Sequence, residues 1–296
     1  MKEKINQFIS LSLLLLVVSC APLIDNPPVP SNYSPQNTTP VEPVNTTNET
    51  APPPPPPQPI LLPVDNLGVY VLDMNGSSVI TLNGKSMLVN ANQDTTNMIK
   101  IMKNLGIKNL DYLLLTNELD KNIIGASPIV LRMKPNHLVH SGIPSTSGYY
   151  FQYTLLFDNE TIVPTDTTFK FGESVVSLIA PYDDGEPLTN DNSIVVKLSY
   201  GNFNVLLASD CGADCESRIS NVKTNVLVSN GACDSLSYIF IRDSSPEVVV
   251  FTGTPCQETF DRVNQLGIPI LKTSVDGDVV FNSDGISYTY KNLKSR

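Results

Sequence analysis

Proline dominates one long segment of this 296-residue chain and limits where a compact domain can form. Fifteen of the 24 prolines lie between Pro22 and Pro63, including an unbroken run from Pro52 to Pro57. Because proline fixes φ and lacks a backbone N–H donor, this segment is unsuited to helix or sheet. We predict that residues 20–65 form a disordered stalk, which at roughly 3.1 Å per residue could reach about 120 Å. The remaining ~230 residues, from 66 to 296, suffice for one substantial core.

The first 19 residues have the features of an export signal. Two lysines precede an apolar run from Ile9 to Val18, which is too short to serve as a stable membrane anchor. The run leads into Val-Val-Ser-Cys at 17–20, which resembles the lipobox of prokaryotic lipoproteins. This resemblance implies that residues 1–19 are removed, that Cys20 is lipidated, and that the protein is exported and anchored to the outer face of the cell membrane. An ordinary signal peptide followed by an incidental cysteine is the alternative.

Asn-x-Ser/Thr sequons are frequent in the stalk and also occur in the remaining chain. In an exported protein such sequons are candidate glycosylation sites, if the host has the machinery. The candidate positions are Asn32, Asn37, Asn45, Asn48, Asn75 and Asn159.

The chain is acidic, and its charge restricts the classes of partner. The formal net charge is −10, and loss of Lys2, Glu3 and Lys4 with the signal peptide makes it −11. Nucleic-acid binding draws most of its affinity from contacts between cationic side chains and phosphates, so the charge disfavours that ligand. The charge also disfavours binding to anionic lipid through a cluster of basic side chains. We expect contact with the membrane through the lipid anchor and a protein partner in the cell envelope.

Short apolar runs alternate with turns and helical patterns from Gly68 onward. Asn83-Gly84 lies between two apolar runs and predicts a β-hairpin. Helices are predicted over 96–105, 123–131, 146–155 and 257–266, with Ser145 or Thr146 as the N-cap of the third. A second group of strands begins at Thr161, and the chain closes with a hairpin around 283–285. Two halves, each a sheet with helices after it, predict an α/β fold of four layers, an αββα sandwich.

The order of these segments resembles the metallo-β-lactamase fold. It is most similar to the extracellular domain of ComEC-type DNA-uptake competence proteins, over Val69 to Tyr290. The landmarks are VYVLDMNGSSVITL, SMLVNA, KNLGIKNLDYLLLT, NDNSIVVKLSYGNFNVLLASD, NVLVSNG, TGTPCQETFDRV and LKTSVDGDVVF, in the family's order. The resemblance implies a metal-dependent hydrolase, and it suggests a nucleic-acid ligand that the charge disfavours.

The residues at the family's metal positions have changed. The family's loop reads Thr-His-x-His-x-Asp-His, whereas here Thr116 is followed by Asn-Glu-Leu-Asp-Lys-Asn. Asp210 matches the metal-bridging aspartate, and Asn90 replaces an aspartate at the end of the third strand. The resemblance thus defines seven positions of a degenerate metal site: Asn117, Leu119, Lys121, Asn122, Asp210, Asn230 and Thr254.

These side chains are poor metal ligands. Amide oxygens bind zinc weakly, leucine has no donor, and a lysine ammonium repels a dication. Without a bound metal, no water is activated to hydroxide near neutral pH. We therefore expect no cofactor; a rebuilt site holding zinc or manganese around Asp210, with help from cysteines, is the alternative.

Four cysteines remain after Cys20, namely Cys211, Cys215, Cys233 and Cys256. An even number in an exported domain indicates two disulfides, with three ways to pair them. Three of the four flank the degenerate metal positions, which suggests that cross-links tie together loops once organised by zinc. We favour Cys233–Cys256 with Cys211–Cys215; the other pairings and a thiolate metal site are the alternatives.

Other catalytic arrangements have little support in the sequence. The two histidines, His137 and His140, fall in a strand-like stretch away from the metal positions, and we interpret them as ordinary surface or core residues. The serine-rich stretch 141–148 lacks a nucleophile-elbow motif. The acidic residues Asp183, Asp184 and Glu186 lie in a Gly/Pro loop without EF-hand spacing.

Two functional hypotheses follow. The first is a non-catalytic, lipid-anchored surface protein whose metallo-β-lactamase-like domain serves binding or structural roles. The second is a metal-dependent phosphodiesterase or nuclease related to DNA uptake. Whether the chain is an enzyme is left open, with the first hypothesis favoured.

Overall fold

Two β-sheets form the centre of the fold. The computed structural model describes residues 66–157, 160–182, 185, 187–220 and 222–293. Their strands are β1 Leu67–Val71, β2 Ser78–Leu82, β3 Lys85–Val89, β4 Tyr112–Leu114, β5 His137–His140, β6 Glu160–Ile162, β7 Thr167–Phe171, β8 Ser174–Ile179, β9 Val195–Tyr200, β10 Phe203–Ser209, β11 Val226–Ser229, β12 Val248–Phe251, β13 Ile270–Lys272, β14 Asp278–Ser283 and β15 Tyr288–Leu293. The first sheet has the order β15-β14-β1-β2-β3-β4-β5-β6, and the second β13-β12-β11-β10-β9-β8-β7.

Helices connect the parallel strands within each sheet. They are α1 Thr95–Asn104, α2 Asp120–Ile123, α3 Ala126–Met133, α4 Gly148–Thr154, α5 Ala213–Ser217, α6 Tyr238–Ser244 and α7 Gln257–Gln265. A last short helix, α8 Thr273–Asp276, leads from β13 in the second sheet to β14 in the first, and a 3-10 turn at Asn190–Asn192 precedes β9. In the described ranges, no helix has the length and apolar character needed to cross a membrane.

The central strands of each sheet are buried on both faces. Val69 and Val71 of β1 point into the core between the two sheets, while Tyr70 packs on the opposite face beneath the helices of the first half. This burial on both sides explains why the strands read as nearly continuous apolar runs. A third cluster joins the outer face of the second sheet to α6 and α7, through residues such as Phe240 and Val263. The α/β fold with four αββα layers predicted from the sequence is therefore confirmed.

The local predictions succeed where turn chemistry is strong. The hairpin at Asn83-Gly84 is present, and both residues have positive φ, 49° and 74°. This conformation suits Asn-Gly in a two-residue turn that matches the twist of the strands. The helix predicted over 96–105 is α1, and the one predicted over 257–266 is α7.

Two local predictions are wrong, and one long-range pairing was not foreseen. The helix predicted over 123–131 is divided into α2 and α3 near Gly125, where an added Cβ would lie 2.2 Å from the carbonyl oxygen of Asn92. The N-cap of α4 is Ser147, which accepts a hydrogen bond from the Tyr149 N–H, and not Ser145 or Thr146. The closing hairpin predicted around 283–285 is present as β14 and β15, and β14 pairs with β1, so this hairpin belongs to the first sheet.

Several sequence predictions concern residues outside the described ranges. These are the signal peptide, the lipidated Cys20, the stalk, the sequons at Asn32, Asn37, Asn45, Asn48 and Asn159, and the acidic residues Asp183, Asp184 and Glu186. The sixth sequon position, Asn75, is exposed in the turn between β1 and β2.

Candidate functional site

The polar residues singled out from the sequence gather where strands of both sheets end. Asn90 follows β3 and Thr116 lies just beyond β4, while Asp210 follows β10 and Asn230 follows β11. β3 is parallel to β4, and β10 is parallel to β11, so their carboxyl ends lie at one edge of each sheet. Contacts between Asn90 and Ser209 join the two edges. The site is built at the junction of the two sheets.

Asp210 is the centre of this site and is surrounded by N–H donors. Its side chain is only 6% exposed. Oδ2 accepts a hydrogen bond from the Asn122 amide at 2.6 Å, and Oδ1 accepts one from the Asn230 amide at 2.5 Å. The ammonium of Lys121 lies 3.0 Å from Oδ1. Three donors, one of which carries a full positive charge, therefore satisfy a carboxylate that would otherwise be costly to bury.

Further hydrogen bonds fix the direction in which both amides point. Asn230 uses its Oδ1 to accept the N–H of Ala232 at 2.9 Å, which leaves its NH2 group to face Asp210. Asn122 donates from the same nitrogen to Asp210 and to Asn117 Oδ1, the latter at 2.7 Å. Asn117 Oδ1 also accepts the backbone N–H of Leu119 at 3.1 Å. If the amide of Asn122 or Asn230 were rotated so that its oxygen and nitrogen exchanged places, at least one hydrogen bond besides the one to Asp210 would be lost.

Lys121 and Asn117 connect the centre to the segment before β9. Lys121 Nζ donates to Asn190 Oδ1 at 2.9 Å, and its side chain is 43% exposed at the mouth of the site. The buried Asn117 amide donates to the Ser193 hydroxyl at 2.8 Å, which in turn donates to the Asn190 carbonyl. The loop after β4 is thereby fastened to the second sheet by side-chain hydrogen bonds.

Asn90 forms a second, fully buried part of the network. Its Oδ1 accepts both the N–H and the hydroxyl of Thr116, at 2.8 and 3.0 Å, and its Nδ2 donates to Ser209 at 3.1 Å. Asn90 and Ser209 both have positive φ, 58° and 50°. Left-handed backbone at non-glycine residues is unfavourable unless the surroundings fix it, and these bonds do so.

The seven positions implied by the family resemblance do not contribute equally. Lys121, Asn122 and Asn230 contact Asp210 directly, and Asn117 is one hydrogen bond away. Leu119 is half-buried and joins the network through its backbone N–H. Thr254 is exposed in the loop before α7, and no hydrogen bond described for this part of the chain joins its side chain to Asp210.

Two disulfides border the site, paired as we favoured from the sequence. Cys211–Cys215 links the residue after Asp210 to α5, and both cysteines are buried. Cys233–Cys256 links the loop after Asn230 to the start of α7, and Cys233 is exposed. With all four cysteines paired, the structure contains no thiolate site among them.

Sequence reasoning missed a buried charged group beside the site. The Glu118 carboxylate accepts hydrogen bonds from the Ser141 hydroxyl and from the backbone N–H groups of Ser141 and Gly142, and lies 3.1 Å from His140 Nδ1. His140, interpreted as an ordinary residue, is 1% exposed, with its Nε2 3.2 Å from Glu160 Oε2. Two polar residues at the ends of strand-like runs, Glu118 after β4 and His140 in β5, were the signal that could have found this pair.

The donor set at Asp210 does not fit a zinc or manganese centre. Such ions need several lone-pair donors from imidazole, carboxylate or thiolate groups. Here one carboxylate faces two amide NH2 groups and an ammonium, all of which present hydrogen atoms. Within the described ranges, no three His, Cys, Asp or Glu side chains are grouped so that they could hold a metal ion.

Comparison of the whole fold with solved structures identifies its class. The chain is similar to the metallo-β-lactamase fold protein YhfI from Bacillus subtilis, with a TM-score of 0.54, 11% identity, and coverage of 74% of this chain and 100% of that one. It is also similar to CmlA, a diiron β-hydroxylase from Streptomyces venezuelae, with a TM-score of 0.50, 13% identity, and coverage of 78% of this chain but only 55% of CmlA. The protein therefore has a metallo-β-lactamase fold.

No protein-family model matches the sequence, and no curated protein is significantly similar to it. At these identities the solved structures define the architecture and leave the chemistry to be argued from the side chains.

Proposed function

We propose that this domain is a non-catalytic member of its fold class, in which a hydrogen-bonded network replaces the metal centre and the domain serves binding or structural roles. The observation that carries the proposal is the environment of Asp210. Every donor described on this buried carboxylate presents N–H groups to it, and the surrounding bonds hold those groups in that direction. A site arranged in this way stabilises an anion and lacks the lone pairs that retain a catalytic cation.

The proposal includes the setting of the domain. Its N-terminal sequence supports export, lipidation at Cys20 and a proline-rich stalk that holds the domain away from the membrane. The net charge of −10 supports a protein partner in the cell envelope over nucleic acid. The order of sequence landmarks supports descent from a ComEC-like domain. Labelling with a radioactive fatty acid, in wild type and in Cys20→Ala, tests the anchor directly.

Metal content and activity test the central claim. Protein purified without chelator should contain far less than one equivalent of zinc or manganese, and should not hydrolyse bis-p-nitrophenyl phosphate or single-stranded DNA when either metal is added. A stoichiometric metal, together with activity that is lost in Asp210→Ala and kept in the exposed control Asp214→Ala, would establish the alternative of a metal-dependent phosphodiesterase or nuclease.

A further inference from the structure

The two disulfides beside the Asp210 network differ in their exposure to solvent. Cys211 and Cys215 are 1% and 2% exposed, so the folded chain shields their bond from reagents in solution. Cys233 is exposed, and its partner Cys256 is half-buried. Because a thiolate must reach a sulfur atom to break a disulfide, Cys233–Cys256 is the bond that is open to exchange while the domain stays folded.

The position of Cys256 favours attack at Cys233. Cys256 is the N-cap residue of α7, and its side chain makes no capping hydrogen bond while it is in the disulfide. Once released, its sulfur can carry a negative charge beside the free N–H groups of the first turn, at the positive end of the helix dipole. Glu258 in the same turn is exposed, and solvent screens its charge. A sulfur that is stable as a thiolate is the better leaving group, so an incoming thiol should attack Cys233 and displace Cys256.

The loop that this disulfide fastens to α7 also orients Asn230. The N–H of Ala232 donates to Asn230 Oδ1 at 2.9 Å, which leaves the NH2 group of that amide to face Asp210. The carbonyl of Ala232 accepts the hydroxyl of Thr259 in α7 at 2.6 Å. Cys233 is the next residue along the chain. The disulfide, the loop and the amide on Asp210 are therefore directly connected.

Other contacts keep the loop near α7 when the covalent link is absent. Arg262 of α7 donates to the carbonyls of Ser235 and Leu236, at 2.6 and 3.0 Å. The N–H of Cys256 donates to the carbonyl of Gly231 at 2.8 Å. Loss of the disulfide should therefore increase local opening of the loop, while the rest of the domain stays folded.

We propose that Cys233–Cys256 is a thiol-exchange site through which a dithiol reductant loosens the Asp210 network. One thiolate of the reductant attacks Cys233 Sγ, forms a mixed disulfide with it and releases the Cys256 thiolate. The second sulfur of the reductant then closes its own disulfide and releases Cys233. Two electrons pass from the dithiol to the protein, and its two protons end on the two cysteine thiols.

Opening of this link weakens the hold on Asn230. The hydrogen bond from the Ala232 N–H to Asn230 breaks more often, and the amide is then free to leave Asp210. This regulation rests on the hydrogen-bonded network proposed above, but it does not require the site to be non-catalytic.

Timed reduction of the folded full chain tests the exchange site. Cys20→Ser leaves the four disulfide cysteines as the only cysteines in the sequence. With limiting dithiothreitol, followed by alkylation and peptide mass analysis, Cys233 and Cys256 should be labelled at least about tenfold faster than Cys211 and Cys215. Glutathione, a monothiol, should form its mixed disulfide on Cys233. Equal labelling rates, faster labelling of the buried pair, or an adduct mainly on Cys256 would overturn the proposal.

Amide hydrogen exchange tests the effect on the network. After selective reduction, the Ala232 N–H should exchange at least about tenfold faster, and reoxidation should restore the slow rate. The double variant Cys233→Ser/Cys256→Ser should show the fast rate without reductant. The control is the N–H of Leu110, which donates to the Met133 carbonyl at 2.8 Å in the first half of the fold and should exchange at an unchanged rate. An unchanged rate at Ala232 overturns the proposal, as does equal acceleration at Leu110, which would mean that the whole domain unfolds.

Metal analysis separates failure of this proposal from failure of the proposed function. A stoichiometric metal in the oxidised protein would refute the non-catalytic assignment, whereas the order of reduction and the exchange rate at Ala232 would still decide the role of the disulfide. Metal-free protein whose Ala232 N–H is insensitive to reduction would refute only the thiol-exchange site.

Discussion

Replacing Lys121 by methionine tests whether an internal cation stabilises the site. The substitution keeps most of the aliphatic side chain and removes the ammonium that lies 3.0 Å from Asp210 Oδ1. A hydrogen bond to a charged group contributes about 1.5–3 kcal/mol, and one exposed partner reduces this contribution through solvent screening. Lys121 is 43% exposed and Asp210 keeps its two amide donors, so we expect a loss of about 1–2 kcal/mol in the free energy of unfolding.

A double-mutant cycle separates this pair from other effects of the substitution. Asp210→Asn removes the negative charge but preserves an oxygen acceptor, and combining it with Lys121→Met should cost less than the sum of the two single changes. We expect a coupling energy of about 1 kcal/mol, within the range for contacting residues. Urea denaturation with the disulfides intact measures all four free energies.

The same variants distinguish the network from a metal site. If Asp210 held a dication in solution, Lys121→Met would remove a charge that repels the dication. Adding manganese would then raise the free energy of unfolding, by an amount that grows with the ratio of the manganese concentration to its Kd. Our reasoning predicts no such rise. A Lys121→Met protein that is as stable as wild type, or that is stabilised by metal, would refute it.

Three further substitutions test other parts of the structure, each by urea denaturation. Asn90→Ala should lower the free energy of unfolding by about 2–3 kcal/mol, because the Thr116 N–H and hydroxyl lose their buried acceptor. Asn90→Asp retains that acceptor and should lower it by less. Equal losses in the two variants would contradict the role of Asn90 as the acceptor for Thr116. Burial raises the pKa of Glu216 above 4.5, so its carboxyl group is harder to ionise in the folded protein than in the unfolded chain. The free energy of unfolding of wild type should therefore fall relative to that of Glu216→Gln as the pH rises from about 4.5 to about 7. Parallel pH profiles of the two proteins would contradict a raised pKa. Replacing the Cys233–Cys256 pair by alanines should lower the free energy of unfolding by about 3 kcal/mol, and replacing Cys211–Cys215 should lower it by about 2 kcal/mol, because the first disulfide closes the longer loop. The reverse order would show that the entropy of the unfolded chain does not determine which disulfide stabilises more.

The fold was predictable because its signals are local and repeated. Asn83-Gly84 and the apolar runs around it define a hairpin from turn chemistry, and the order of strands and helices defines the layers. The pairing of β14 with β1 was missed because it joins segments that lie near opposite ends of the domain sequence, for which no local pattern exists. The break at Gly125 was missed for a related reason, since the close carbonyl of Asn92 comes from another part of the chain.

The composition of the site was predictable, but its mechanism of stabilisation was not. The sequence places poor metal ligands at positions 117, 119, 121 and 122, and this argues only that a cation is weakly held. It does not show that Lys121 bends back to Asp210, or that Glu118 turns away from the site towards His140. Both facts depend on how neighbouring strands end, because side chains from separate segments meet there.

The direction of the amides also determines how a metal site could be introduced at this position. Introducing one ligand, for example by Asn230→His, would remove the acceptor for the Ala232 N–H as well as one donor to Asp210. Changing Asn122 would also remove its hydrogen bond to Asn117 Oδ1. Each single replacement therefore loses hydrogen bonds before the site contains enough lone-pair donors to gain a metal. Stepwise substitution is therefore a poor way to build a metal site here, and several positions must change together before a bound cation can compensate for the lost hydrogen bonds.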